Sequence, residues 1–195
     1  MALTLVTAPA PEPLTTDQAK LHLRVDSDDE NTLIDTLIVT ARQWVETFTH
    51  RALMTQTWDL KLDAFPCGPI VLPMAPAISI TSITYVDTGG SSQTWSSAEY
   101  QTDIPTGPMA QRARIQPAYG YSYPLTRDQM NAVTVRFVAG YGATVQTIPD
   151  IFIAAMKLLV EHWYAVRTPV LIGSGNVVSN VPHSIESMLW AYKAF

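Results

Sequence analysis

Four acids within five positions, Asp26, Asp28, Asp29 and Glu30, raise calcium binding as a first chemical possibility. An EF-hand loop needs glycine at its sixth position and a carboxylate at its twelfth. Counted from Asp26 those positions hold Asn31 and Leu37, so the motif fails. The same acids suit a helix N-terminus, where negative charge opposes the positive end of the helix dipole. His22, His50, His162 and His183 form neither HExxH nor any other close metal pair. His162 shares a helical face with Ile151 and Leu158 and reads as a hydrogen-bonded core histidine. Glu161 points ~100° away and reads as surface. Cys67 sits in a Pro/Gly loop with no base beside it. Being the only cysteine, it excludes an intrachain disulfide and a thiolate metal cluster. Gly173-Ser174-Gly175 lacks the third glycine of a dinucleotide fingerprint and reads as a loop. No GxSxG, phosphate loop or kinase set is present. Arg112, Arg114, Arg127 and Arg136 are interleaved with Tyr119, Tyr121 and Tyr123, which could suggest a nucleic-acid face, but the same segment contains Asp103 and Asp128. Tyrosines beside Pro and Gly are read as loop packing. The expectation is therefore a protein with no catalytic residue, metal or cofactor.

The elements that would position any site follow from pattern. Thr15 and Gln18 have capping-box spacing and open a short helix to about His22; Ser27 and Glu30 suggest a second box opening a longer one to about Thr49. In that second helix Leu33, Ile34, Leu37, Ile38, Ala41, Trp44, Val45 and Phe48 fall within ~140° of arc. From about 54 to 147 the period becomes two, as in Trp58, Leu60 and Leu62 against Asp59, Lys61 and Asp63. Further strands are expected at 70–72, 78–86, 93–95, 100–102, 113–116 and 132–139, with a hairpin turn at Gly89-Gly90. Helical spacing returns over 149–167, apolar nearly all round, and predicts a helix buried on most sides. Residues 168–182 read as a long loop. The last helix, from near Ser184, carries Ile185, Met188, Leu189 and Tyr192 on one stripe.

These readings give an expected fold class: α+β, a helical core of long amphipathic helices from both ends of the chain, with an inserted antiparallel β-domain. Residues 1–13, with Pro9, Pro11 and Pro13, form an extended arm; 14–52 with 148–195 form the helical core and a docking tail; 53–147 form the insert. Leu33, Leu37, Trp44, Phe48, Ile151, Leu158 and Trp163 are expected to be largely buried.

Composition narrows the function class. The net charge of -5 denies the chain the counterion release that drives tight DNA binding, and most of it falls in residues 1–52. Only 15% of residues are charged, against ~25% in ordinary soluble proteins. A surface so poor in charge suits burial against neighbouring subunits. Ile151–Val160 is too short to span a bilayer and carries Lys157, so no membrane partner is expected. With no secretory signal, synthesis in the cytoplasm is expected.

Several segments together resemble a known family. They are LHLRVDSDD at 21–29, TFTHRAL at 47–53, TQTWDLKLDAFP at 55–66, SITSITYVD at 79–87, RIQPAYGYSYP at 114–124, NAVTVRFVAGYG at 131–142 and IPDIFIAAMKLLVEHWYAVR at 148–167. Their order resembles the head–tail connector, or adaptor, proteins of long-tailed bacteriophages and gene-transfer particles. The resemblance implies a virion neck protein made in a bacterial host. It implies a ring, usually of 12 copies, beneath the portal protein and above the next neck or tail-completion protein, with packaged DNA passing through without sequence-specific binding. It also implies that the final helix and tail contact the portal.

The residues expected to do so, or to meet a neighbouring subunit, are Ile185, Met188, Leu189, Trp190, Tyr192 and Phe195. Trp190 lies ~100° off the stripe, free to dock, though it could also cover its own core. An acidic N-terminal third would suit a channel wall that DNA slides past. A capsid-decorating or tail-fibre-associated β-module is the alternative, and a small hydrolase a more distant one.

Overall fold

A computed structural model describes residues 1–166 and 183–195. The first helix, α1 (Thr16–Leu23), starts where the spacing placed it. The Thr15 hydroxyl accepts from the Gln18 amide at 3.2 Å, and the Gln18 side-chain oxygen accepts from the Thr15 amide at 3.1 Å. Arg24, in the left-handed region at φ 58, ends it.

The second helix, α2 (Asn31–Thr49), begins differently from expectation. The Ser27 hydroxyl accepts from the Asp29 amide at 3.2 Å and donates to the Asp29 carboxylate at 2.6 Å, closing a local turn instead of a capping box. Asp28 instead accepts from Lys20 at 2.5 Å, tying the turn back to α1. The buried seam of α2 is Ile34, Ile38, Ala41 and Val45. Leu37, Trp44 and Phe48 lie on its margin, half-buried, and Leu33 is 36% exposed. Trp44→Ala therefore lacks the full cost of emptying a core site.

The third helix, α3 (Asp150–Ala165), follows Pro149 and buries Phe152, Ala155, Met156, Leu159 and Val160. Leu158 is 39% exposed, while Ile151 and Trp163 are half-buried, so this helix has a surface face after all. The fourth, α4 (His183–Trp190), adds Ile185 and Leu189 to the same apolar cluster. The expected loop at 168–182, with Gly173-Ser174-Gly175, lies outside the described residues.

Alternation along Val133–Ala139 holds the centre of the first sheet. Its strands are β1 (Ala2–Thr7), β2 (Gln56–Leu62), β4 (Ala77–Val86), β5 (Ser92–Thr94) and β8 (Val133–Ala139), ordered β1-β2-β8-β4-β5 and antiparallel throughout. Trp58 faces Phe137 and Leu60 faces Val135 across β2 and β8. Val133, Val135, Phe137 and Ala139 are buried, with the residues between them less so. The β4–β5 turn is closed by Asp87, whose carboxylate accepts from the amides of Gly89 and Ser91 at 2.9 Å each. A second antiparallel sheet, ordered β3-β7-β6, comprises β3 (Ile70–Val71), β6 (Tyr100–Asp103) and β7 (Arg114–Pro117). Both sheets share one apolar cluster that includes Leu60, Ile83, Trp95, Ile115 and Phe137.

The expected fold class needs correction. The architecture is mixed, with four helices and two antiparallel sheets among the described residues. A helical core of long helices from both ends is not what forms. The helices nearest the two ends, α1 and α4, have 8 residues each, and the longer ones, 19 and 16 residues, lie further in. Residues 2–7 form β1, the edge strand of the larger sheet, so sheet structure begins before any helix. The physical reason is non-local. The partner of β1 lies some fifty residues away, and pairing at an edge requires no inward-facing alternation that a sequence would display.

Glu46 joins the helical and sheet layers. It is only 6% exposed, accepts from the Leu53 amide at 2.9 Å and the Gln56 side chain at 2.5 Å, and pairs with Arg42 at 2.7 Å. Arg42 also binds Glu12 at 2.7 Å, which fastens the proline-rich segment to α2. Burial pushes the Glu46 carboxyl up from its ordinary value, and those three donors oppose it. Gly140 lets the chain leave β8 here: its φ is +139, and a Cβ would sit 2.4 Å from the Met54 carbonyl oxygen.

Within the sheet, Asp59 on β2 accepts two bonds from Arg136 on β8, at 2.8 and 2.7 Å. The Arg136 hydrogen bonds hold the Asp59 carboxyl below the usual range. A depressed folded-state pKa contributes stability that is full above the unfolded value of about 3.9 and is lost as pH falls through the folded one. The melting-temperature advantage of the wild type over Asp59→Asn should accordingly shrink as pH is lowered from about 6 to 2. An advantage that stays constant over that range would show that the pair is not ionised as described.

Candidate docking surface

The residues expected to dock divide into two groups. Ile185 and Leu189 are buried in the helical cluster, and Met188 is half-buried against it. Tyr192 sets its ring edge-on to Phe152, with centroids 5.4 Å apart. These four hold the end of the chain down. Trp190 and Phe195 remain 58% and 73% exposed.

The tail itself is fixed through its backbone. Arg51 Nε donates to the Tyr192 carbonyl, Arg112 Nη2 donates to the Ala194 carbonyl at 3.3 Å, and the Ala194 amide donates to the Thr49 carbonyl at 2.9 Å. The Phe195 amide donates to the Gln111 side chain at 3.3 Å. Arg51 is fully buried, and desolvation lowers its pKa from the ordinary arginine value. The exposed Trp190 is therefore presented from a tethered segment.

Trp190 also has neighbours. Its ring lies 6.4 Å from that of Phe48, which stacks on Trp44 at 5.1 Å with the planes 6° apart. Lys193 Nζ stands 5.3 Å from the Phe48 centroid and 5.1 Å from that of Trp190. The result is a surface strip of three aromatic rings capped by one ammonium. Sequence reasoning assigned Trp44 and Phe48 to the core and did not foresee Thr49, Arg51, Gln111 or Arg112. Trp44 carried a signal in its place near the rim of the ~140° apolar arc, whereas Phe48 lies near the middle of that arc and carried none. The tethers carried none, because each reaches a distant backbone group.

The other chemical candidates are dispersed. His22 meets Glu161 at 3.1 Å on the surface. His162 is half-buried beside a shallow hollow of about 240 Å³ shared with Leu158, Glu161, Ser184 and Ile185, not a core histidine. Cys67 is exposed. Arg114 pairs with Asp103 at 2.6 Å, Arg136 with Asp59, and Arg112 holds the tail, so these arginines form no common basic face. Tyr123 stacks on Phe65 at 5.0 Å and donates to the Gly68 carbonyl at 2.9 Å, as loop packing requires, whereas Tyr119 is fully exposed. Among the described residues no group of three or more His, Cys, Asp or Glu side chains could hold a metal ion, and no helix is long and apolar enough to cross a membrane.

A cavity of about 630 Å³ opens where the sheet meets the start of α3, lined by Ile78, Ile104, Pro105, Pro108, Tyr141 and Asp150 among others. Burial pushes the Tyr141 phenol up to about 12, and its hydroxyl donates to the Pro108 carbonyl at 2.7 Å. It is a neutral, committed donor, unsuited to proton transfer near neutral pH.

Residues 14–103 match the family described as phage gp6-like head-tail connector proteins, which bears out the resemblance read from the sequence. Three solved structures share the fold, each alignment covering 100% of this chain and 96% of the other. One is a chain of the virion of a native gene transfer agent particle, with TM-score 0.79 and 23% identity. Another is from the neck of the empty particle computed with C6 symmetry, with TM-score 0.80 and 24% identity. The third, from the neck of the native particle computed with C12 symmetry, has TM-score 0.72 and 20% identity. No curated protein matches the sequence.

Proposed function

We propose that this chain is a structural head–tail connector: copies of it form a ring, of 12 subunits, in the neck of a phage-like particle made in a bacterial host. The observation that carries this reading is the connector-family match over residues 14–103, supported by a shared fold along the whole chain with proteins of gene transfer agent particles. The ring sits between the portal protein and the next neck protein, and DNA passes through it. Its work is mechanical, and no turnover is assigned to His162 or Cys67.

On this reading exposed Trp190, backed by the aromatic strip, and exposed Phe195 make the portal-facing contact. Exposed aromatic rings on a fixed backbone lose little conformational freedom on binding, and such anchors dominate interface energetics. Deleting residues 190–195 would be a poor test, because it also removes Tyr192 from Phe152 and takes the carbonyl partner from buried Arg51. The double substitution Trp190→Ala/Phe195→Ala leaves those contacts intact. It should give a folded subunit whose binding to portal-containing heads falls about 10-fold or more, since one hot-spot residue is worth ~2 kcal/mol or more. Assembly onto such heads at wild-type affinity would remove Trp190 and Phe195 from the portal contact.

A further inference from the structure

Among the described residues the larger sheet ends in two different edges, and neither strand carries a charge or a proline. Edge strands present unpaired backbone N–H and C=O groups, and natural proteins blunt them with charge, proline, short length, a bulge or a covering element. Here β5 has only three residues, and β1 shifts register between Leu5 and Thr7, which leaves Ala2–Leu5 as its regular stretch. β1 reads Ala-Leu-Thr-Leu-Val-Thr and β5 reads Ser-Gln-Thr, with no charged residue and no proline in either. By contrast, the β6 edge of the smaller sheet carries Asp103, engaged by Arg114. β1 also gains little from its own subunit: Leu3 alone is half-buried, while Leu5 and Val6 are 42% and 44% exposed. All three residues of β5 are exposed.

We infer that β1 of one subunit pairs edge-to-edge with β5 of a second copy, making the sheets continuous around the ring. The occupant is chosen by three features. Both strands lie at opposite ends of one sheet, so each copy offers one of each. A contact between unlike patches is heterologous, which closes into rings, whereas like-to-like pairing of β1 would stop at a dimer. Neither strand carries a charged residue, and although the Asp87 carboxylate accepts from Gln93 at 2.9 Å beside β5, β1 has no acid to oppose it. This inference rests on the ring of the proposed function.

The test uses the full chain with Cys67→Ser. Thr4→Cys or Val6→Cys is combined with Gln93→Cys, and the protein is assembled on portal-containing heads and mildly oxidised. A ladder of covalent oligomers is expected from at least one pair and from no single-cysteine variant. A second variant, Thr4→Lys/Val6→Lys, keeps Leu3 in place and should remain a folded monomer by circular dichroism. Its ring population, by native mass spectrometry, should fall at least about 10-fold. Wild-type rings without a ladder from either pair, or undiminished rings from the lysine variant, would overturn the edge pairing and leave the ring standing. A wild type that never assembles beyond a monomer, even on heads, would overturn the ring and the pairing together.

Discussion

Glu46→Ala should cost ~3–5 kcal/mol of folding stability, the range measured when one partner of a buried ion pair is removed. The carboxylate is 6% exposed and Arg42 7% exposed, so neither partner has water to fall back on. Truncation leaves Arg42 with Glu12 alone, and takes the acceptor from the Leu53 amide and the Gln56 side chain at once. A buried donor left without an acceptor costs ~1–3 kcal/mol by itself. Glu46→Gln separates the contributions. It retains one side-chain oxygen for Leu53 and Gln56 but presents an amide to Arg42, so it should be destabilised by less than the alanine variant. Urea unfolding of the three proteins measures both differences. A loss below ~1 kcal/mol for Glu46→Ala would mean that Arg42 and Gln56 find other partners and that the joint is not held as described.

How much of this was legible beforehand depended on distance along the chain. The Thr15–Gln18 box, the end of α2 at Thr49 and the Asp87–Ser91 turn each involve residues a few positions apart, and each formed where pattern placed it. Ser27 and Glu30 satisfied the same spacing rule and failed, because Asp29 captured the serine hydroxyl at shorter range. β1 read as an arm because its six residues bury almost nothing and their partner strand follows two intervening helices. At the candidate docking surface, helical geometry set exposed Trp190 apart from buried Ile185 and Leu189. It could not show that Phe48 reaches it, nor that Arg51 and Arg112 hold the backbone behind it, since those contacts exist only once the layers have packed.

Phe152→Ala should unseat that tail as well as destabilise the fold. Phe152 lies in the first turn of α3 and is fully buried. Its ring is 5.4 Å from that of Tyr192 and 5.6 Å from that of Tyr141, so one side chain supports both the tail and the loop after β8. Emptying such a site typically costs ~3–5 kcal/mol, made up of lost burial and the cavity left behind. Phe152→Leu keeps most of the volume and should cost about 1.5 kcal/mol or less. The effect on the tail is read separately, from hydrogen exchange at the Ala194 amide, which is protected by the Thr49 carbonyl at 2.9 Å. Without the ring beneath Tyr192, local opening of residues 190–195 should become easier than global unfolding, and Ala194 should exchange faster than the core amides of α2. Exchange at Ala194 that merely follows the global loss of stability would show that the backbone tethers from Arg51 and Arg112 seat the tail without Phe152.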